Sequence, residues 1–161
     1  MGKIKRRRLE KKDMIRDKHY MHEALAEAQK AMDDGEVPVG AVLVEDEKII
    51  SRGHNTPVSV NDPTAHAEII AIRKACRKKQ NYRLTGCDLY VTLEPCAMCI
   101  GAAVQTRIRR LVYGAHDPKS GAIQSMMEFP FGRMNHRMEI RGGVLADECG
   151  KILRVFFEKK R

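Results

Sequence analysis

The most informative stretch of the sequence is residues 87–103, CDLYVTLEPCAMCIGAA. Its first seven residues are mostly apolar, which predicts a buried strand over 87–93. The Glu-Pro pair that follows opens a short helix, with Cys96 and Cys99 in its first turn. A strand that leads through a tight connection into a helix is typical of α/β folds.

The rest of the chain continues this alternation of strands and helices. Apolar residues spaced by three and four predict a first helix from about Lys18 to Asp33. A second helix is predicted from Asp62 to about Lys78, with Asp62 as its N-cap and proline at its first position. Helices of 10–15 residues between strands indicate an α/β fold in which helices cover both faces of one sheet. Further strands are predicted at 39–44, 49–54, 111–114 and 138–140, the first two antiparallel, and a last helix around 149–156.

Charge is concentrated at the two ends of the chain. The 161 residues carry a formal net charge of +9. Residues 1–12 contribute +6 and residues 151–161 contribute +4, which leaves the body of the chain at −1. A near-neutral body with two basic ends is expected of a protein that grips a polyanion with its termini. A solubilising tail is the alternative interpretation of either run.

Composition excludes several classes of protein. A chain of this length forms one domain, and its 43% of hydrophobic residues is typical of a globular protein. No apolar run approaches the roughly 20 residues of a membrane helix, so no membrane partner is expected. Five cysteines without regular spacing favour metal-binding or core roles in a reducing compartment over a disulfide scaffold. We therefore expect a cytoplasmic protein.

Three potential metal ligands lie in the first turns of two predicted helices. Cys96 and Cys99 are three residues apart, so on a helix they share one face and can hold one ion. A helix N-terminus also lowers the pKa of a thiol, which favours the thiolate that a metal requires. His66 lies near the start of the other helix, and both helix starts should meet at the edge of the sheet where ligands bind. This histidine and the two cysteines are predicted to hold zinc.

Three protein ligands indicate a catalytic zinc site, because structural sites normally have four and a catalytic site leaves a position for water. His54 stays open as a fourth ligand. Glu68 lies two residues after His66, and both side chains reach one pocket only if the helix points at it end-on. A carboxylate near the water can take its proton and deliver it to a leaving group. Glu68 is therefore the predicted proton shuttle.

The pattern HxE followed by PCxxC, at 66–68 and 95–99, resembles the zinc-dependent cytidine/nucleotide deaminase superfamily. Within it, the chain most resembles the family of bacterial tRNA-specific adenosine deaminases over residues 18–161. The matching segments are EVPVGA at 36–41, Asn55, DPTAHAE at 62–68, NYRL at 81–84, YVTLEPC at 90–96, MNH at 134–136 and LADEC at 145–149.

The resemblance implies a three-layer α/β/α cytidine deaminase-like fold with a five-stranded mixed sheet, and a homodimer. It implies hydrolysis of the wobble adenosine of a tRNA anticodon to inosine, with release of ammonia. One Zn²⁺ per chain would be held by His66, Cys96 and Cys99, with Glu68 as the catalytic residue. The deaminase domain would span 18–161, after a basic arm over 1–17. Matches to substrate-binding positions are Asn55 and Val37 at the target base, and Asp117, Lys119, Asn135, Phe157 and Arg161 at the anticodon loop.

Two alternatives account for part of the pattern. The first is a deaminase of the same superfamily that acts on a free base or nucleotide, which explains the metal ligands but not the two basic ends. The second is a zinc-stabilised RNA-binding protein without activity. Such a protein has no need of the carboxylate at Glu68, and aromatic residues, at 5% with no Trp, are too few for a broad base-stacking platform.

Overall fold

The structure is a computed structural model that describes residues 2–161. Strands and helices alternate along this part of the chain, with a short 3-10 helix at Phe131–Arg133. The strands are β1 (Gly40–Glu45), β2 (Lys48–His54), β3 (Asp88–Leu93), β4 (Arg110–Ala115) and β5 (Glu139–Arg141). The helices are α1 (Lys3–Asp33), α2 (Pro57–Val60), α3 (Ala67–Lys79), α4 (Ala97–Gln105) and α5 (Ala146–Lys160).

The five strands form one mixed sheet in the order β2-β1-β3-β4-β5. β1 is antiparallel to β2 and β3, whereas β3 and β4, and β4 and β5, are parallel. Parallel neighbours need a crossover connection, which α4 provides between β3 and β4. The predicted five-stranded mixed sheet is confirmed, and each predicted strand lies within one residue of its observed bounds.

Alternate residues of the central strands face two separate apolar layers. Leu43 and Val91 pack against α3 and α4 on one face, in a cluster that includes Ala71. Val42 and Tyr90 pack on the opposite face, where α1 and α5 lie. The sheet is therefore buried on both sides, which confirms the predicted three-layer α/β/α architecture.

The two ends of the sheet differ in what surrounds them. We call one end the pocket edge: β2, β3 and β4 finish there at His54, Leu93 and Ala115, and β1 begins. The opposite end is the far edge, where β3 and β4 begin at Asp88 and Arg110. α1 finishes at the pocket edge, and its middle crosses the far edge beside Arg110.

α1 begins at Lys3, so the predicted start near Lys18 was wrong. The prediction followed apolar spacing, which ends where the chain leaves the core, but Lys, Arg, Leu and Glu are themselves good helix formers. Residues 2–12 are exposed along this extension, whereas Asp17 is buried in the body. The division at residue 17 stays a prediction.

Although α1 has 31 residues, no helix within residues 2–161 combines the length and apolar character needed to cross a membrane.

The predicted helix start at Asp62 was also wrong, because α3 begins at Ala67 with His66 as its N-cap. The Asp62 carboxylate accepts hydrogen bonds from the backbone N–H and hydroxyl of Thr64, which closes a local turn instead of capping a helix. The short helix α2 before it was missed, since four residues are too few to show a periodic pattern. The shift places His66 and Glu68 at the very start of α3.

Candidate active site

The three predicted metal ligands meet at the pocket edge. His66 is the N-cap of α3, and Cys96 is the N-cap of α4, which also carries Cys99. The His66 Nδ1 atom lies 3.7 Å from Sγ of Cys96 and 3.6 Å from Sγ of Cys99. A tetrahedral zinc with about 2.0 Å to nitrogen and 2.3 Å to sulfur needs these atoms about 3.5 Å apart. The three side chains therefore fit a zinc ion.

No fourth protein ligand joins this group among residues 2–161. His54 is directed elsewhere: its Nδ1 lies 3.2 Å from the Glu27 carboxylate, and its Nε2 lies 3.5 Å from that of Asp34. A set of one imidazole and two thiols leaves one tetrahedral position for a small molecule, which is the pattern of catalytic sites.

Without a bound cation, the electrostatics of this group favour a single thiolate, at Cys96. The hydrogen bond with Cys99 lowers the pKa of the Cys96 thiol to about 4, and the same contact raises the pKa of Cys99. The hydrogen bond with Cys96 also raises the pKa of His66. A thiolate is thus present at the helix start, where the backbone N–H groups favour negative charge.

Glu68 lies in the first turn of α3 and is only 4% exposed. Burial raises the pKa of its carboxyl to about 7. The carboxylate is not one of the three clustered ligand groups, yet it lines the same cavity. A buried carboxyl with a pKa near neutrality can both accept and donate a proton, which is what general acid–base catalysis requires.

A cavity of about 540 Å³ opens over these groups. It is large enough for one nucleoside. The Asn55 Oδ1 atom accepts the N–H of Ala67, which leaves its amide nitrogen as a donor beside the cavity. The wall residues beyond the ligands and Glu68 are Val37, Val39, Asn55, Pro57, Leu93, Glu94, His116, Asp117, Pro118, Lys119, Ser120, Leu153 and Phe157.

The structure brings together most of the predicted substrate-binding residues. Val37, Asn55, Asp117, Lys119 and Phe157 all line the cavity. An adjoining groove is lined by basic and apolar side chains of α5 and the chain end, Arg161 among them, and it shares Lys119 and Phe157 with the cavity.

Asn135 is the predicted residue that lines neither the cavity nor the adjoining groove. Its backbone and side-chain oxygens both accept hydrogen bonds from Arg107, which follows α4. Its predicted contact with the anticodon loop stays a prediction.

Sequence reasoning missed two buried carboxylates that hold the walls. Glu36 accepts hydrogen bonds from the backbone N–H groups of Val58 and Ser59, so it fixes α2 beside the cavity. Glu94 accepts the N–H groups of Asp117 and Gln124 on the opposite side. No pattern in the sequence marks either residue as buried, because the groups that they bind lie more than 20 residues away along the chain.

Comparison with known proteins agrees with this geometry. The MafB19-like deaminase family model matches residues 15–161, and the chain belongs to that family. The tRNA-specific adenosine deaminase of Haemophilus influenzae is 53% identical over 147 residues, covering 90% of this chain and 85% of the relative. That of Bacillus subtilis is 47% identical over 149 residues, covering 92% of each.

The fold is also similar to that of a solved deaminase structure. It comes from a study of A-to-I editing by tRNA:A34 deaminases at the wobble position of transfer RNA. It superposes with a TM-score of 0.80 at 48% sequence identity, over 84% of this chain and 99% of the other. The predicted cytidine deaminase-like fold is thereby confirmed.

Proposed function

We propose that this protein is a hydrolase that converts the wobble adenosine of a tRNA anticodon to inosine, consuming one water and releasing ammonia. The observation that carries the proposal is a buried carboxylate, Glu68, beside a three-membered His-Cys-Cys group inside a nucleoside-sized cavity. The sequence identity to tRNA-specific adenosine deaminases supports adenosine as the target nucleoside and tRNA as the substrate.

We infer that His66, Cys96 and Cys99 hold one zinc ion per chain. When bound, zinc would act as a Lewis acid and make water a nucleophile near neutral pH. The residues of the chain perform the other tasks. Glu68 moves protons, and its apolar surroundings keep its pKa near neutrality so that it can act in both directions. Water would add to C6 of adenine to form a C–O bond, and Glu68 would carry its protons to the purine ring and to the exocyclic nitrogen. The C–N bond then breaks and that nitrogen leaves as ammonia.

The target base would be held by Asn55 and Val37. The Asn55 amide nitrogen can donate to a ring nitrogen of the purine, and Val37 offers an apolar wall. The cavity admits a single nucleoside, so the adenosine must leave its stack, which is least costly in a single-stranded loop. An anticodon loop meets that condition.

The adjoining groove would hold the neighbouring nucleotides. Phe157 is 46% exposed at the boundary between groove and cavity, where a base can stack on its ring. Lys160 and Arg161 are exposed beside it and can neutralise phosphates. Asp117 and Lys119 on the opposite wall are further proposed RNA contacts.

The homodimer and the cytoplasmic location are also proposals. Met98, Met126 and Met127 are 37%, 51% and 39% exposed, and unbranched apolar side chains of this kind suit a surface that a second copy would cover. All five cysteines are free thiols, which suits a reducing compartment. Sedimentation of the purified protein should therefore give a mass of two chains.

The proposed activity is tested by supplying three substrates in parallel to the zinc-loaded protein: an anticodon stem-loop with adenosine at the wobble position, free adenine and free guanine. Ammonia release and inosine in the digested RNA are expected from the stem-loop alone. Release from a free base instead would establish the free-base alternative. Elemental analysis should give one zinc per chain, and its absence would overturn the metal site.

A further inference from the structure

Glu94 is a buried carboxylate two residues before Cys96, at the end of β3. Its side chain is 2% exposed. Its Oε2 accepts the backbone N–H of Asp117 at 3.2 Å, and its Oε1 accepts that of Gln124 at 2.9 Å. No Lys, Arg or His within residues 2–161 forms a salt bridge with it. A buried charge without a counter-ion is unfavourable unless its hydrogen bonds compensate.

The segment between those two N–H groups folds around Glu94, and we call residues 116–124 the wall loop. The loop also donates the N–H of Ala122 to the carbonyl of Pro95, at 2.9 Å. Its Gly121 lies against the carboxylate so closely that a Cβ there would overlap Oε2 of Glu94. The wall loop is therefore shaped around both carboxylate oxygens of Glu94. Glu94 directly precedes residues 95–99, which we call the metal-binding turn because they carry Cys96 and Cys99.

The outer surface of the wall loop forms one side of the cavity. His116, Asp117 and Lys119 all line it. The Asp117 carboxylate accepts the N–H of Lys119 and the hydroxyl of Ser120, which gives the loop a tight internal turn. The turn and the two bonds to Glu94 together fix where Asp117 and Lys119 face the cavity.

We infer that Glu94 is a positioning residue, which sets the wall loop at a fixed distance from the metal-binding turn and so shapes the site for RNA. The inference rests on the proposed function, because it assigns the wall loop to substrate binding. Glu94 acts through its backbone partners, whereas Glu68 and the three metal ligands perform the chemistry. Loss of the two bonds should weaken RNA binding and leave the chemical step nearly unchanged.

Two variants perturb the contact between the Glu94 carboxylate and the wall loop, one from each partner. In Glu94→Gln, one acceptor oxygen becomes an NH₂ group that faces a backbone N–H. In Gly121→Ala, the added methyl group pushes the loop away and leaves the metal-binding turn intact. Asp88→Asn is the matched control, because Asp88 is also a buried carboxylate of β3 but lies at the far edge, where it binds Arg109. Asp88→Asn should change thermal stability and not RNA binding.

The measurements are kcat and KM on the anticodon stem-loop, zinc content, and hydrogen exchange of the Asp117 and Gln124 amides. Glu94→Gln and Gly121→Ala should each raise KM by about tenfold, with kcat within about threefold of the parent and one zinc per chain. The double variant should be no worse than the poorer single variant, because both break the same contact. Exchange at both amides should accelerate in each variant.

The outcomes separate this inference from the proposed function. If the parent protein releases no ammonia from the stem-loop, the proposed function fails, while the exchange rates still report whether Glu94 holds the wall loop. If the parent is active and both variants keep its KM, the inference is overturned. Should Glu94→Gln lose zinc, Gly121→Ala decides: an unchanged KM in that variant would assign Glu94 to the metal site alone.

Discussion

The two edges of the sheet each bury a carboxylate, in opposite ways. At the far edge, Asp17 is fully buried and accepts hydrogen bonds from Arg110, Arg141 and Tyr90 at 2.6–2.8 Å. At the pocket edge, Glu68 is buried without any arginine or lysine partner within residues 2–161, next to His66.

The consequence is visible in the two pKa values. Burial opposes ionisation of Asp17, but the hydrogen bonds from Arg110 and Tyr90 outweigh it, so its pKa lies below the ordinary value. Burial dominates at Glu68 and raises its pKa to about 7. A paired buried charge is fixed in one protonation state and serves stability, whereas an unpaired one can exchange protons and serves chemistry.

The strongest test of this contrast is Glu68→Ala. The variant should keep its fold and the proposed zinc ion but lose turnover by about 10²–10⁴-fold, because it removes only the carboxylate that we propose as the proton shuttle. Glu68→Gln, which preserves the shape and cannot shuttle the proton, should lose as much. Steady-state rates with zinc analysis check both, and more than about a tenth of the parent rate in either would contradict the assigned role.

Asp17→Ala should lower the stability of the fold and leave the active site unchanged, which is the reverse of the effect expected for Glu68→Ala. Removing Asp17 leaves the buried Arg110 guanidinium with only the exposed Glu139 as a counter-ion, and breaking a buried ion pair in this way typically costs about 3–5 kcal/mol in free energy of unfolding. Zinc content and KM should stay unchanged, since the pocket edge is not touched. Urea denaturation measures the loss. Asp13→Ala is the control on the same helix: the Asp13 side chain is half-buried and its salt bridge is to Arg16, so the variant should cost less than about 1 kcal/mol.

The protonation of Asp17 gives a smaller, pH-dependent effect. Because its pKa is lowered by folding, its contribution is complete above the unfolded value of about 3.9 and disappears as the pH falls through the lower folded value. The difference in unfolding free energy between the parent and Asp17→Asn should therefore shrink below about pH 4. A difference that stays constant down to about pH 2 would show that Asp17 is not the titrating group.

The basic C-terminus extends the comparison to RNA binding. Deleting residues 158–161 removes Lys159, Lys160 and Arg161 next to the groove at the pocket edge. KM for the stem-loop should rise, and the plot of log affinity against log salt concentration should become shallower by about 0.7 for each phosphate that the protein no longer neutralises. Zinc content should be unaffected, because the ligands lie on α3 and α4.

Deleting residues 1–12 should have the smallest effect on the same stem-loop. These residues carry more charge, +6, but they precede the far edge, on the opposite side of the sheet from the cavity. Their only ion pair in the described chain is the exposed contact between Arg6 and Glu10. An equal or greater loss of affinity than for the 158–161 deletion would show that total charge, and not its position, governs docking.

Local patterns predicted the sheet and the grouping of His66, Cys96 and Cys99. The strands and the ligand-bearing helices were found because alternation, apolar runs and the HxE and PCxxC spacings lie within a few residues of one another. Helix starts were less reliable: Asp62 has the side chain of an N-cap but closes a turn with Thr64 instead. Whether such an aspartate caps a helix or closes a turn depends on the tertiary path of the chain.

The buried carboxylates could not be predicted, because their partners are distant in sequence. Asp17 binds Arg110 across 93 residues, and Glu94 binds Gln124 across 30. A charged residue normally indicates an exposed position, and only the folded structure shows which group pairs with a buried carboxylate. The predicted arm ends at residue 17 because the helix predicted from the apolar spacing begins at about Lys18, and that spacing gives no sign that the Asp17 side chain is buried at the far edge.

Under the proposed function, the continuity of α1 determines how long an RNA must be to contact both the cavity and the basic start of this helix. Its 31 residues span about 46 Å as one unbroken helix, so its basic start and its end beside the cavity are held at a fixed separation. An isolated stem-loop bound at the cavity can touch the basic start only if it extends over that distance. Under the proposed function, contact between RNA and residues 3–12 of the same subunit would therefore depend on the length of the RNA and not on its base sequence.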